Sequence, residues 1–266
     1  GSPQTLLLSG IGPMDELQKH GIDVVHELPG VGQNLQDHID YTAAYKSPSK
    51  DVLGASLSGT VAILKGIMEW RRQRTGVITT PFAEGGAFLK TLADLDRPDI
   101  QLHFVVGIVD DHNRKPHLGN GYSCHICVLR PKSRGRVGLN SSNPKHDPFI
   151  DPGFLSDEHD LDTLAAGVRM TRQLLEAPAL APYRGKELYK VDHNDDQALK
   201  KMIRDRADTV YHPVGTCKMG SDDMAVVDNK LRVHGIDGLR VVDASIMPTL
   251  IGGNTNAPTI MIGERA

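Results

Sequence analysis

"DIQLHFVVGIVD", residues 99–110, and "GYSCHICVLRP", residues 121–131, decide the fold class. Both runs are rich in alternating or β-branched residues, and turn residues separate them. "GRVGLNS" at 135–141 and "PFIDPGF" at 148–154 continue the pattern. Loops rather than crossover helices link these runs, so the strands are expected to pair antiparallel. Within "CHIC" the alternation puts His125 and Cys127 on one face and Cys124 on the other. The spacing is that of a metal or redox pair, but no second pair accompanies it and a strand pattern runs through it. No metal site is expected.

Helical patterns flank this region. "SPQTLLLSG" at 2–10 offers Ser2 as N-cap and Pro3 as the first helical residue. "MDELQKHG" predicts a second short helix ending at Gly21. "IDVVHELPGVG" at 22–32 reads as a strand running into a glycine turn. Apolar spacing predicts a helix over 60–74. Further helices are expected over 156–176, with Ser156 and Asp157 or Glu158 capping the first turn, and over about 194–206. "GLRVVDAS" at 238–245 is nearly continuous in apolar character, as a central strand of a covered sheet would be. A last helix is expected from about 257. The predicted class is α+β.

The composition narrows the function. The chain has 266 residues, of which 39% are hydrophobic, enough for one large domain or two smaller ones. Its net charge is -3 and no block of like charge occurs, which argues against an electrostatic nucleic-acid surface. Three cysteines are too few for a disulfide framework, so a reducing compartment is the default. No stretch approaches the ~18 apolar residues of a membrane span. Both ends fall inside patterned segments, so targeting signals are expected to lie outside the chain.

Three features carry chemistry. His212 in "VYHPVGTCKMG" precedes Pro213, whose ring stiffens the backbone and biases His212 toward an extended conformation. A general base needs such positioning. On the residue alone, a structural histidine is the commoner reading. "LIGGNTNAPTIMIGERA" combines Gly252 and Gly253, suited to close backbone approach, with Asn256 at the expected N-cap and Pro258 in the first turn. A helix N-terminus stabilises negative charge; the plain alternative is a well-capped terminal helix. Asp243 closes the apolar run, at the end where open α/β sheets bind ligands, or is simply a turn aspartate. His103, His125 and His234 read as satisfied local groups.

Taken together these stretches resemble the glucose–methanol–choline (GMC) family of flavin oxidoreductases. "GSPQTLLLSGIGP" resembles the family's second signature, and "LPGVGQNLQDH", "HPVGTCKMG", "GLRVVDASIMP" and "GGNTNAPTIMIGERA" follow in the family's order. "PKSRGRVGLNS" echoes the branch of choline dehydrogenases and long-chain alcohol dehydrogenases. The resemblance implies an antiparallel substrate-domain sheet plus the returning segments of an α/β FAD-binding domain. Its implied spans are 1–41 for part of the FAD-binding domain, 42–207 for the substrate domain, and 208–266 for the returning FAD-binding and active-site segment. The family's GxGxxG unit is absent, so the chain resembles the carboxyl-terminal half of a longer enzyme, unable to hold FAD tightly by itself.

Carried across residue by residue, His212 matches the catalytic histidine and Asn256 its partner position. Asp243 and Ala244 match contacts to the ribityl–pyrophosphate region of FAD. Asn256 and Pro258 match the edge near the pyrimidine ring. The implied activity is oxidation of a primary alcohol to an aldehyde, with proton abstraction and hydride transfer to flavin N5. Relatives of other reaction class, hydroxynitrile lyases and fatty-acid photodecarboxylases, and a non-catalytic fragment are the alternatives. The implied partners are a small alcohol and an electron acceptor, either oxygen or a quinone-like carrier. The implied location is the cytoplasm or the periphery of the inner membrane, with peripheral membrane association. Aromatic residues make up only 5% and no cation cage is visible, which favours a neutral alcohol over choline.

Overall fold

The computed structural model describes the backbone of residues 1–266 and every side chain except that of Asn113. In chain order the helices are α1 (Ser2–Leu8), α2 (Met14–Lys19), α3 (Leu57–Gln73), α4 (Glu158–Leu175), α5 (Asp196–Arg206) and α6 (Asn256–Arg265). The strands are β1 (Ile11–Gly12), β2 (His26–Glu27), β3 (Ile39–Lys46), β4 (Gly54–Ala55), β5 (Ala83–Leu89), β6 (Ile100–Val105), β7 (Gly119–Val128), β8 (Arg136–Gly138), β9 (Phe149–Asp151) and β10 (Asp208–Thr209). Among the described residues no helix is long and apolar enough to cross a membrane.

The chain forms two compact units. One comprises Gly1–His38, Leu129–Asp160 and Thr209–Ala266; the other comprises Ile39–Val128 and Leu161–Asp208. The contacts thus interrupt the single expected span of 42–207. Residues 129–160 join the first unit because their backbone bonds are made there: Val137 N–H donates to Gly32 O at 2.7 Å, and Leu35 and Gly135 exchange two bonds.

The second unit is built on the stretch that opened the reading. β7 pairs antiparallel with β3 on one side and β6 on the other, and β6 carries β5. The register places Ile39, Tyr41, Ile100, Leu102, Ile126 and Val128 on one face, all buried. On α4, Gly167 lies against this face: a Cβ there would come within 2.8 Å of Ile100 Cδ1 and 3.2 Å of Ile126 Cγ2. The helix approaches the sheet this closely because position 167 has no side chain. The opposite face is polar and carries Asp40, Thr42, Gln101, His103, His125 and Cys127. The "CHIC" alternation therefore stands as read. His125 Nδ1 meets Asp40 Oδ2 at 2.6 Å. Burial disfavours the His125 cation, yet the Asp40 carboxylate outweighs it, so the His125 pKa rises. Burial pushes the Cys124 thiol up to about 12, which leaves it an inert core group.

In the first unit, β1 and β2 pair parallel, and β8 and β9 pair antiparallel as a separate two-stranded sheet. Leu6 and Leu7 of α1, Leu17 of α2, Val31, Cys217, Val226 and Val227 form its core. Three expectations change here. The N-cap of α1 is Gly1, not Ser2; Ser2 occupies the first turn and its hydroxyl donates to Asp243 Oδ2. The N-cap of α6 is Thr255, which moves Asn256 inside the helix. "GLRVVDAS" is not a strand. It bridges through Arg240 to Arg232 and then turns into a 3-10 segment, Ala244–Ile246. Apolar character buries a segment but does not by itself supply the ladder that defines a strand.

Replacing Gly167 with leucine forces extra volume between α4 and the sheet. Although leucine is the better helix former, the protein is expected to lose about 1–3 kcal/mol of stability from overpacking. A urea unfolding midpoint at or above the wild-type value would contradict the close helix–sheet contact.

Candidate active site

Three segments of the first unit converge on His212. Residues 34–38 and 210–214 run antiparallel: Gln36 N–H donates to Val214 O at 3.0 Å, and Val214 N–H returns the bond to Gln36 O at 2.8 Å. That register sets His38 opposite His212, and side chains directly across an antiparallel pair meet. Their Nδ1 atoms stand 2.9 Å apart and their rings cross at 89°. Gln36 also ties in the third segment: its Nε2 donates to Pro248 O at 3.1 Å and its Oε1 accepts from Leu250 N–H at 3.1 Å. His38 Nε2 then meets Ile251 O at 3.0 Å. Val214, Met247 and Leu250 form a small apolar cluster under the site, with Ala244 and Ile251 packed against it.

Asp37 clamps the backbone. Its Oδ1 accepts from His212 N–H at 2.8 Å and its Oδ2 accepts from the Thr209 hydroxyl. After Pro213 the chain turns at Gly215, where φ is +93° and a Cβ would lie 2.5 Å from Asn34 O. A side chain there would be both strained and blocked. His212 is buried at 8% exposure, and His38 is fully enclosed. The other ring nitrogen of His212, Nε2, meets Asn254 Nδ2 at 3.4 Å.

The expected residues are therefore placed as follows. His212 is the centre of a hydrogen-bonded array. The amide that reaches it is that of Asn254, whereas Asn256 stands exposed at the start of α6. Asp243 and Ala244 form the 3-10 turn, where Asp243 Oδ1 accepts from Ser245 N–H at 2.7 Å. Burial opposes ionisation of Asp243, but donors from Ser2 and Ser245 outweigh it and bring its pKa down. Gly252 earns its place by close approach: a Cβ there would meet the Arg130 guanidinium at 2.3 Å. Pro258 sits in the first turn of α6 and offers no N–H.

Sequence reasoning assigned no role to Asp37, His38 or Asn254. "QNLQDH" held the signal, as a carboxylate and an imidazole side by side directly after the glycine turn "PGVG". Among the described residues no group of three or more His, Cys, Asp or Glu side chains is placed to hold a metal ion.

A family model for GMC oxidoreductase matches residues 131–263. The alcohol dehydrogenase [acceptor] of Pseudomonas putida is 48% identical over all of this chain and 48% of its own length. The mitochondrial choline dehydrogenase of Homo sapiens is 44% identical, again over all of this chain and 45% of its own length. A formate oxidase variant from Aspergillus oryzae RIB40, solved to follow FAD modification, superposes with a TM-score of 0.89 at 26% identity. It covers 99% of this chain and 51% of its own. The array around His212 thus sits in a chain that belongs to the GMC oxidoreductase family. The chain spans about half the length of the curated relatives it matches.

The Ser2–Asp243 bond has a pH signature. Because the folded pKa of Asp243 is lowered, its contribution to stability is present above the ordinary carboxylate range and is lost as pH falls through the lowered value. Ser2→Ala is expected to cost about 1.5 kcal/mol at pH 7 and distinctly less at pH 3. Equal losses at both values in denaturant titrations would show that the carboxylate is not the acceptor.

Proposed function

We propose that this chain supplies the proton-handling half of an FAD-dependent enzyme that oxidises a primary alcohol to an aldehyde. The observation that carries the proposal is the buried His212, held by its backbone through Asp37 and by its ring through His38. An imidazole fixed at three points, with Nε2 directed at a polar amide rather than a carboxylate, is positioned to take up a proton.

The residues present also suit a flavin. Thr255 gives α6 no side-chain cap, and Pro258 lacks an N–H, so the amides of Asn256 and Ala257 head an uncapped helix terminus. Such a terminus carries roughly half a positive charge and favours an anionic group. Asp243, Ala244, Asn256 and Pro258 are the residues that would hold FAD. When bound, FAD would supply the acceptor for the carbinol hydride.

In this reading His212 Nε2 accepts the hydroxyl proton, and the electron pair left on oxygen drives the carbinol hydrogen off as hydride. Asn254 lies close enough to hydrogen-bond the same oxygen and to set its direction toward Nε2. Asp37 prevents His212 from swinging with the segment that follows. The relatives named as alcohol and choline dehydrogenases support alcohol oxidation. A neutral alcohol suits the low aromatic content, and oxygen or a quinone-like carrier is the proposed terminal acceptor.

In the full-length enzyme, His212→Ala is expected to lower kcat by about 10²–10⁴-fold, the usual worth of a positioned base. Bound FAD, read from its visible absorbance, is expected to stay stoichiometric. Turnover within a few-fold of wild type would remove His212 from this role. Under anaerobic conditions a primary alcohol is expected to bleach the oxidised flavin; no bleaching across a broad alcohol panel would refute the reaction class.

A further inference from the structure

We infer that the outer face of α3 is a docking surface for an anionic phospholipid bilayer. The inference goes beyond the proton chemistry of His212 and does not depend on it.

α3 is built inside out. Its buried residues are Gly59 and Gly66. A Cβ on Gly59 would lie 2.1 Å from Gly54 O, and one on Gly66 would lie 2.6 Å from Val77 Cγ1. The helix therefore settles on β4 and on residues 77–79 through its smallest side chains. Leu57, Val61, Leu64 and Met68 follow at i, i+4, i+7 and i+11, so they share one face, turned away from that contact. They are 84%, 42%, 57% and 50% exposed. An amphipathic helix ordinarily buries such a stripe; this one presents it outward. Exposed Leu118 extends the patch, because it bridges to Ala55, just ahead of Leu57. A contiguous apolar patch of this kind marks an interaction surface.

The charges around the stripe indicate what it meets. Lys65 and Arg72 line one side of it and Arg71 the other. All three are exposed, and among the described residues none of these side chains makes a hydrogen bond or ion pair. Arg74 stands instead over the Trp70 ring, 4.4 Å from its centroid. Glu69, the one carboxylate of α3, is turned back to accept from the Thr75 hydroxyl at 3.1 Å. An apolar ridge between unpaired cations matches a surface with hydrocarbon below and phosphate above. A second copy matches it poorly. The first turn of α3 carries no acidic residue, so two such helices in contact would bring their basic ends against no carboxylate. Any protein partner must supply a carboxylate for each cation, whereas anionic headgroups supply that charge everywhere along the helix.

The test uses the FAD-loaded enzyme with vesicles of phosphatidylcholine, alone or mixed with phosphatidylglycerol. The enzyme is expected to sediment with the mixed vesicles, to bind phosphatidylcholine alone about tenfold more weakly or less, and to come off as salt is raised. A variant combining Lys65→Gln, Arg71→Gln and Arg72→Gln is expected to lose about 10²-fold in partitioning. Leu64→Ser with Met68→Ser is expected to lose about tenfold or more. Both variants are expected to keep wild-type turnover of a soluble alcohol, since they change only exposed side chains. A polarity-sensitive fluorophore on Leu64→Cys is expected to shift to the blue on the mixed vesicles.

No partitioning onto mixed vesicles would overturn the proposal, as would partitioning that both variants leave intact. A Leu64→Cys thiol that reacts only after unfolding would show that protein, and not lipid, covers the face. If Leu64→Ser with Met68→Ser turns a dimer into monomers by light scattering without lipid, the face joins two copies and the proposal fails.

Discussion

The antiparallel register between residues 34–38 and 210–214 is the constraint on which the rest of the site depends. Two backbone bonds between Gln36 and Val214 set it. A slip of one residue would turn His38 to the other side of its segment and leave His212 without its ring partner. With the register in place, Asp37 reaches the His212 amide, His38 reaches its ring, and Gln36 draws in the segment that carries Leu250 and Ile251. Three adjacent side chains of one short stretch therefore organise two remote parts of the chain. None of them is charged toward solvent, and each has its polar atoms committed to the site.

Burial gives these bonds their weight. His38 and His212 lie where water does not compete, so an unmet donor or acceptor there would be expensive. The same principle governs Asp243, whose two donors outweigh its desolvation and keep it ionised. It also explains the difference between the two faces of the sheet in the second unit. The apolar face accepts Gly167 of α4 at close range. On the polar face the buried Asp40 is matched by His125 rather than left alone.

Much of this was legible in the sequence. The alternation in "GYSCHICV" predicted β7 and its two faces, and the loop-linked strand runs predicted antiparallel pairing. The helices over 57–73, 158–175 and 196–206 fall within a few residues of their periodic patterns. His212 stood out because of the proline that follows it. The failures share a cause. "GLRVVDAS" has the apolar character of a strand, but strand formation depends on neighbours that composition cannot name. Ser2 and Asn256 have the chemistry of N-caps, yet the helix starts were decided by where Asp243 captured the Ser2 hydroxyl and where Thr255 ended its turn. Asn254 was passed over because its distance to His212 arises from the fold of the 251–256 turn and not from spacing.

By itself, then, the sequence determined the fold class and the family's motifs and singled out His212, since these rest on local periodicity and on residue types in fixed order. Only the tertiary structure decided the partners of that histidine. His38 and His212 are 174 positions apart. Nothing local couples them; they meet because two segments pair in one register out of several.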